Sequence, residues 1–340
     1  MPRRVDVPAL IDGIRAGDRT ALARGITLVE SKLPAHRSSA RQLLSAFTNA
    51  DTNTVRLGIT GVPGAGKSTF IDAFGCLLVE KGLKVAVLAV DPSSSRTGGS
   101  VLGDRTRMGA LSQMDNAFIR PSPSGCHLGG VARATREAMV LCEGAGYDVV
   151  IIETVGVGQS EVAVSGMVDT FLMLHLSGAG DQLQGIKRGI LEMVDVIAVN
   201  KADGENEGPA RVTARELSIA MKLIRGEDGG RRTPVLTCSA LHHLRLEDVW
   251  QAIQEHRAWL EETVGLVNYR ADQQISWMWA QIESTLLDSC RATEELRRFA
   301  ESLENQVALG ETSALEASAD FLTTYVKALP QLDWAQENSL

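Results

Sequence analysis

Eight consecutive residues, 61–68, combine the residue types that bind phosphate groups. Two glycines separated by four residues precede Lys67 and Ser68, so the backbone can bend and turn its N–H groups toward phosphate oxygens. The lysine ammonium reaches the β- and γ-phosphates, and the serine hydroxyl is a ligand for Mg²⁺. The run predicts a nucleoside triphosphate site in which Lys67 both binds and acts in catalysis. The expected nucleotide contacts are Gly61, Pro63, Gly64, Ala65, Gly66, Lys67, Ser68 and Thr69.

The elements around this run must place it between the end of a strand and the start of a helix. The apolar stretch 55–60 is typical of a buried strand, and 69–74 opens an amphipathic helix. Strand-like runs then alternate with helical stretches as far as about residue 256, which predicts an α/β fold with a mostly parallel, doubly wound sheet. The later strands are expected at 84–90, 117–120, 148–153, 170–175, 194–200 and 234–239.

The two ends of the chain carry helical patterns without strand signals. We therefore predict a helical N-terminal extension (1–50), a P-loop nucleoside triphosphatase domain (51–262) and a helical C-terminal extension (263–340). The last stretch can hardly bury its apolar side chains alone, so it either packs back on the α/β domain or forms an oligomer interface, and we favour the oligomer interface.

The overall composition restricts the functional classes open to this chain of 340 residues. The net charge of −8 argues against a nucleic-acid-binding surface, and no apolar run reaches the roughly 20 residues that a membrane-spanning helix needs. The first residues lack the apolar stretch of a secretory signal, and the five cysteines are widely scattered. A cytoplasmic protein with reduced thiols is expected.

A second polar segment follows the expected strand 194–200 and fits the recognition of guanine. The carboxylate of Asp203 can accept hydrogen bonds from N1–H and from the exocyclic amine, an arrangement that adenine does not offer, while Asn200 and Lys201 support the base and the loop. After the next strand, a loop can offer a backbone N–H to the O6 of guanine through Ser239, Ala240 and Leu241. Taken alone, this segment could be a strand end followed by a polar turn. Its order after a phosphate loop favours GTP over ATP.

Several carboxylates stand where an ion bound to the phosphates would be held. Asp91 and Glu153 each end an expected strand, and Asp104 lies in a glycine-rich stretch suited to a switch loop. We expect a Mg²⁺ site made of Ser68 and these three acids, with Glu153 also acting in catalysis. Gly156 is expected to donate a backbone N–H to the γ-phosphate. Each acid alone could instead cap a strand end or lie in solvent.

Three further segments are similar to one family of proteins. They are 90–100 (VDPSSSRTGGS), 153–161 (ETVGVGQSE) and 178–187 (GAGDQLQGIK). Together they closely resemble the MeaB/ArgK/MMAA group of GTPases over roughly residues 55–240. The resemblance implies a G protein of the SIMIBI class that helps methylmalonyl-CoA mutase to load, protect or reactivate its adenosylcobalamin, and that forms homodimers through its C-terminal extension.

The resemblance also implies roles for individual residues. The segment 178–187 would be an additional switch loop, in which Gln184 and Lys187 stabilise charge when the mutase accelerates hydrolysis. Asp91, Asp104 and Glu153 match the metal-site acids of the family. The expected reaction is attack of water on the γ-phosphate of GTP, slow in the isolated protein, with Mg²⁺ as the cofactor.

Other functions fit parts of the sequence. The adjacent Cys126 and His127 are a pair that nickel- or zinc-delivery GTPases use, although two ligands from one chain are few for a metal site. A kinase of a lysine/arginine/ornithine transport system is a second alternative, but a separate substrate domain is not evident. A third is a scaffold whose tryptophans face a partner. His175 is either a nucleotide sensor or a satisfied strand-end residue, and His242 and His243 are expected to cap a helix.

Overall fold

The computed structural model describes residues 5–31, 33–47, 53–91, 108–123, 128–154, 159–177, 188–225 and 231–329. Within these ranges the chain forms seven strands and twelve α-helices, which confirms the expected α/β fold. The strands are β1 (Val55–Gly61), β2 (Val85–Asp91), β3 (Ala117–Pro123), β4 (Val149–Glu153), β5 (Thr170–Leu176), β6 (Val196–Asn200) and β7 (Val235–Thr237). The helices are α1 (Val7–Arg15), α2 (Arg19–Val29), α3 (Pro34–Ser45), α4 (Lys67–Glu80), α5 (Leu128–Gly144), α6 (Gln159–Ser165), α7 (Arg188–Met193), α8 (Glu207–Arg225), α9 (Leu246–Thr263), α10 (Leu266–Ser289), α11 (Glu294–Leu309) and α12 (Ala314–Ala328).

The strand order places the phosphate-loop strand in the middle of the sheet. From edge to edge the order is β3-β2-β4-β1-β5-β6-β7, and every neighbouring pair is parallel. β1 and β6 are buried along their whole length, as expected for strands covered on both faces. Because the strands are parallel, their carboxyl ends share one edge, where Gly61, Glu153 and Asn200 end β1, β4 and β6.

Two hydrophobic clusters cover the two faces of the sheet. One of them joins β1 to α4 and α9, and its rings of Phe70 and Phe74 stack with centroids 5.1 Å apart. The other joins the N-terminal helices to α5, with the fully buried Ile14 and Ile26 packed in the same cluster as Leu141. The helices expected before the first strand are confirmed, and they share a core with the α/β domain.

The chain divides into two compact units, Met1–Gln273 and Gln274–Leu340. The second unit holds a small cluster of its own around Leu296 and Tyr325, whose hydroxyl lies 2.5 Å from the Ser289 hydroxyl. The helical C-terminal stretch is confirmed, while the domain limits drawn from the sequence stay predictions. Among the described residues, no helix has the length and apolarity needed to cross a membrane.

A network of buried charges fastens the start of α10 to the amino-terminal edge of the sheet. Asp169, fully buried, accepts hydrogen bonds from Arg270 Nε at 2.8 Å, from Arg270 Nη2 at 2.7 Å and from the Arg56 backbone N–H at 2.9 Å. Arg270 also donates to the Thr54 carbonyl oxygen at 2.6 Å. The Arg56 guanidinium donates twice to Glu143, at 2.6 and 2.9 Å. Each buried charge is therefore paired, as burial in a low-dielectric interior requires.

Candidate nucleotide-binding site

The turn between β1 and α4 has the backbone shape of a phosphate-binding loop. A Cβ atom at position 61 would lie 2.3 Å from the carbonyl oxygen of Leu174 on β5, so a side chain there would force the two strands apart. Gly66, the N-cap residue of α4, has a φ of 83°, in the left-handed region that favours glycine. The positive N-terminus of α4 therefore opens at the carboxyl edge of the sheet, where an anion binds favourably. Of the other expected contacts, Pro63 and Gly64 in the turn and Thr69 in α4 are exposed, and Ala65 is buried.

Lys67, the first residue of α4, folds back over this turn. Its Nζ donates a hydrogen bond to the Gly61 carbonyl oxygen at 2.8 Å. Burial lowers the pKa of the Lys67 ammonium, and the carboxylates of Glu153 and Glu161 act in the opposite direction. An entering phosphate adds negative charge beside this partly buried ammonium. It would therefore favour the protonated lysine and its contact with the phosphate.

Ser68 and Glu153 bring a hydroxyl and a carboxylate together beside the turn. β1 and β4 pair with Ile59 opposite Glu153, and the Ser68 hydroxyl donates to Glu153 Oε1 at 3.2 Å. Oxygen donors of this kind fit Mg²⁺, which takes one or two carboxylates and fills its remaining positions with phosphate oxygens and water. Within the described ranges, no group of three or more His, Cys, Asp or Glu side chains could hold a metal. Asp91 ends β2, a neighbour of β4, so its backbone lies at the same edge.

Asn200, the last residue of β6, links the phosphate loop to the loop after β7. Its side chain is almost fully buried and donates through Nδ2 to the Ala65 carbonyl oxygen at 2.8 Å. Its Oδ1 accepts a hydrogen bond from the Ala240 backbone N–H at 3.0 Å. A Cβ atom added at Gly66 would lie 3.0 Å from Asn200 Nδ2 and 3.8 Å from Lys201 Cε, so the two expected nucleotide-binding segments are in contact.

The carboxylate of Asp203 lies next to the loop that follows β7. Its Oδ2 accepts a hydrogen bond from the Ser239 hydroxyl at 2.5 Å. The backbone N–H of Ala240 is engaged by Asn200, and Leu241 is exposed with 71% of its surface accessible. A planar base that lies between Asp203 and Leu241 would therefore have a carboxylate on one side and the loop that follows β7 on the other.

One protein-family model matches most of the chain. A family model described as "Methylmalonyl Co-A mutase-associated GTPase MeaB" matches residues 22–295. The chain belongs to the MeaB family of GTPases. The match begins within α2 and extends into the first turn of α11, so it includes the whole sheet.

Similar proteins are found in bacteria and animals. A probable GTPase of Mycobacterium tuberculosis is 53% identical over 312 residues, which cover 92% of this chain and 93% of the relative. The mouse protein called "Methylmalonic aciduria type A homolog, mitochondrial" is 43% identical over 332 residues, which cover 95% of this chain and 80% of the mouse protein. A solved structure called "LAO/AO transport system kinase" superposes with a TM-score of 0.76 at 38% identity, covering 96% of this chain and 99% of that one.

Some of the residues expected to act in the nucleotide site lie outside the described residues. They are Asp104, Gly156, Gln184 and Lys187, together with the Cys126-His127 pair. Their roles stay predictions. The described residues Gly61, Lys67, Ser68, Glu153, Asn200, Lys201, Asp203, Ser239, Ala240 and Leu241 lie at the carboxyl edge of the sheet or in the loops that follow it.

The structure also corrects the expectation for two histidines. His242 and His243 do not cap a helix, since the N-cap residue of α9 is Arg245 and its side chain makes no capping bond. Instead, His242 Nε2 lies 3.9 Å from Asp203 Oδ1. No pattern in the sequence predicts this contact, and none predicts the hydrogen bond from the Ser239 hydroxyl to the other oxygen of the same carboxylate.

Proposed function

We propose that this chain is a GTP-hydrolysing G protein that helps methylmalonyl-CoA mutase to load, protect or reactivate its adenosylcobalamin. The observation that carries the nucleotide part is the joint placement of Asn200, which ties the phosphate loop to the loop after β7, and Asp203, which presents a carboxylate beside it. The family description supports the partner, because it names a GTPase associated with methylmalonyl-CoA mutase. The name of the mouse relative points to the same metabolism.

At the phosphate end, the residues bind and orient the reactants. Lys67 would exchange its bond to Gly61 for the β- and γ-phosphates, and Gly156 would donate its N–H to the γ-phosphate. A water molecule attacks the γ-phosphorus while the bond to the bridging oxygen breaks, which yields GDP and phosphate. Gln184 and Lys187 would stabilise the charge that develops in this step. Turnover by the isolated chain would therefore be slow and would rise when the mutase binds.

The cation site would be built from Ser68, Glu153, Asp91 and Asp104. The contact of the Ser68 hydroxyl with Glu153 already places two oxygen donors beside the phosphate loop. When bound, Mg²⁺ would neutralise part of the negative charge that develops on the phosphates. Glu153 would fix the orientation of Ser68 and hold the water shell of the ion.

At the base end, Asp203 would accept hydrogen bonds from N1–H and from the exocyclic amine of guanine. Adenine presents an acceptor at N1 and lacks the second donor, so it would leave the carboxylate unsatisfied, at a cost of about 1–3 kcal/mol. Lys201 would flank the base, and a backbone N–H of the Ser239–Leu241 loop would contact O6. Because Asn200 already engages the Ala240 N–H, Leu241 is the better candidate for that contact.

The second unit supplies an apolar surface that suits a homodimer. In α10 and α12, Trp279, Leu287 and Leu322 are exposed, with 57%, 72% and 58% of their surface accessible. Large apolar side chains exposed on more than one helix are typical of association sites. A second copy of the chain is proposed as the occupant. Light scattering on the full chain tests this proposal, and a monomer mass at micromolar concentration would refute it.

A second candidate function is phosphorylation of a transport protein, because one similar solved structure is called a transport system kinase. Such a kinase would transfer the γ-phosphate to a protein side chain instead of to water. Release of inorganic phosphate from GTP in the absence of a protein acceptor separates the two functions.

The deciding experiment measures GTP hydrolysis by the purified full chain with and without apo methylmalonyl-CoA mutase. Clear stimulation by the mutase, with GTP strongly preferred over ATP, is expected. Lys67→Ala should abolish turnover. The control is Lys81→Ala, at the C-terminal end of the same helix, and it should leave turnover unchanged. Turnover that the mutase does not stimulate would refute the partner, and turnover unaffected by Lys67→Ala would refute the site.

A further inference from the structure

The loop from Ser239 to Arg245 is held in a closed and strained shape beside the proposed base site. Ser239 and Leu244 exchange backbone hydrogen bonds of 3.0 and 2.9 Å across it. His243 and Arg245 have φ values of 53° and 57°, in the region that residues with a side chain seldom adopt. Such a conformation persists only where the surroundings impose it, and it is common at functional sites.

Two contacts fasten this loop to the segment that carries Asp203. Arg245 Nη2 donates to the Ala202 carbonyl oxygen at 3.2 Å, and Arg245 Nη1 lies 3.7 Å from Glu207 Oε1. Within the loop, the His242 backbone N–H donates to the Ser239 hydroxyl oxygen at 3.2 Å. The backbone of the loop therefore places the His242 imidazole next to the Asp203 carboxylate, whatever the charge of the imidazole.

The two oxygens of Asp203 face different neighbours. Oδ2 accepts the Ser239 hydroxyl at 2.5 Å, whereas Oδ1 lies 3.9 Å from His242 Nε2. The second distance is too long for a hydrogen bond, so a neutral imidazole leaves Oδ1 available to a base. A protonated imidazole is attracted to the carboxylate, and a small rotation of this half-exposed side chain would form a charge-assisted hydrogen bond.

We propose that His242 is a positioning residue that competes with guanine for Asp203 when its imidazole is protonated. Guanine nucleotide affinity then falls on acidification because the base must break the imidazolium–carboxylate contact. The inference rests on the proposed function in one respect, namely that the base bound at Asp203 is guanine.

Other charged groups surround the pair and must be separated from His242. Lys201 and Glu205 flank Asp203 on its own segment, Glu207 begins α8, and His243 and Arg245 lie on the facing loop. All of them stay in place when His242 is replaced. His243 is the matched control, because it is an adjacent exposed histidine in the same loop.

The experiment titrates GDP into the full-length wild type, His242→Asn and His243→Asn by calorimetry at about pH 8 and about pH 5.5, a range across which histidine side chains ordinarily gain a proton. Asparagine is chosen for both variants because it tolerates the left-handed backbone of position 243. Protonation of the phosphates of GDP affects all three proteins equally.

Acidification should raise the Kd of GDP in the wild type and in His243→Asn. In His242→Asn the rise should be about two- to fivefold smaller, which is the size expected for the loss of an exposed ion pair. Equal pH dependence in all three proteins would overturn the inference while leaving the nucleotide site intact. Failure of the wild type to bind GDP at the higher pH would refute the site itself and the inference with it.

Discussion

Replacing Asn200 by alanine would show whether one buried side chain couples the phosphate loop to the loop after β7. In the structure Asn200 donates to the Ala65 carbonyl oxygen and accepts from the Ala240 N–H, and all three residues are buried. Alanine removes both bonds and adds no group that could replace them. Both loops would be free to separate.

The size of the effect follows from the two backbone groups that lose their partner. A buried polar group left unpaired costs about 1–3 kcal/mol, so the free energy of unfolding should fall by about 2–6 kcal/mol unless water enters. Part of this loss should also appear in binding, because a nucleotide must then order the two loops itself. We expect the Kd of GDP to rise at least about tenfold, which corresponds to about 1.4 kcal/mol.

Calorimetric titration with GDP and urea unfolding measure the two effects separately. Asn200→Asp keeps an acceptor for Ala240 but places a carboxylate oxygen against the Ala65 carbonyl oxygen, so it should also weaken binding. Asn268→Ala, an exposed asparagine of α10, is the control for an Asn-to-Ala change away from the site. A Kd within about twofold of the wild type in Asn200→Ala, with unfolding changed by less than about 0.5 kcal/mol, would refute the reasoning.

Two further predictions concern stability. Arg270→Met leaves the fully buried Asp169 carboxylate with the Arg56 N–H as its remaining donor among the bonds described above. The free energy of unfolding in urea should therefore fall by about 3–5 kcal/mol, while the Kd of GDP stays unchanged. A loss no larger than that of the exposed control Arg291→Met would contradict this. His175 donates through Nδ1 to the Leu176 carbonyl oxygen at 2.7 Å, its buried Nε2 has no hydrogen-bond partner among the residues that the structure describes, and burial lowers the pKa of its imidazole. The unfolded chain therefore takes up a proton at higher pH than the folded one, so the wild type should lose stability as the pH falls through the histidine range. In His175→Leu this loss should be smaller; identical pH dependence of the unfolding free energy would show that His175 does not contribute.

The phosphate loop and the segment around Asp203 are predictable because each motif is contiguous and follows an apolar run. The alternation of such runs with helical stretches also predicts the parallel sheet, and its direction then brings Gly61, Glu153 and Asn200 to one edge. Each motif is a local pattern, and the parallel topology of a doubly wound sheet places these motifs at the same edge.

The contacts of His242 are not predictable in the same way. They depend on left-handed backbone at positions 243 and 245 and on closure of the loop between Ser239 and Leu244, which are imposed by tertiary packing. Likewise, Asp169 and Arg270 are 101 positions apart, and neither lies in a motif that marks it as paired. Long-range pairing of single residues leaves no periodic trace in a sequence.

The two ends of the strands in this sheet have different roles: the amino edge carries a buried charge network, and the carboxyl edge carries the phosphate loop. β1 runs from the buried charge network at Thr54 and Arg56 to the phosphate loop at Gly61, a separation of about 20 Å at roughly 3.3 Å per residue. At such distances the effects of substitutions on folding usually add without interacting. Loops at the carboxyl edge can therefore accumulate destabilising changes that alter their response to a nucleotide, and independent strengthening at the amino edge can compensate for them. Evolution and protein engineering can vary the two edges separately.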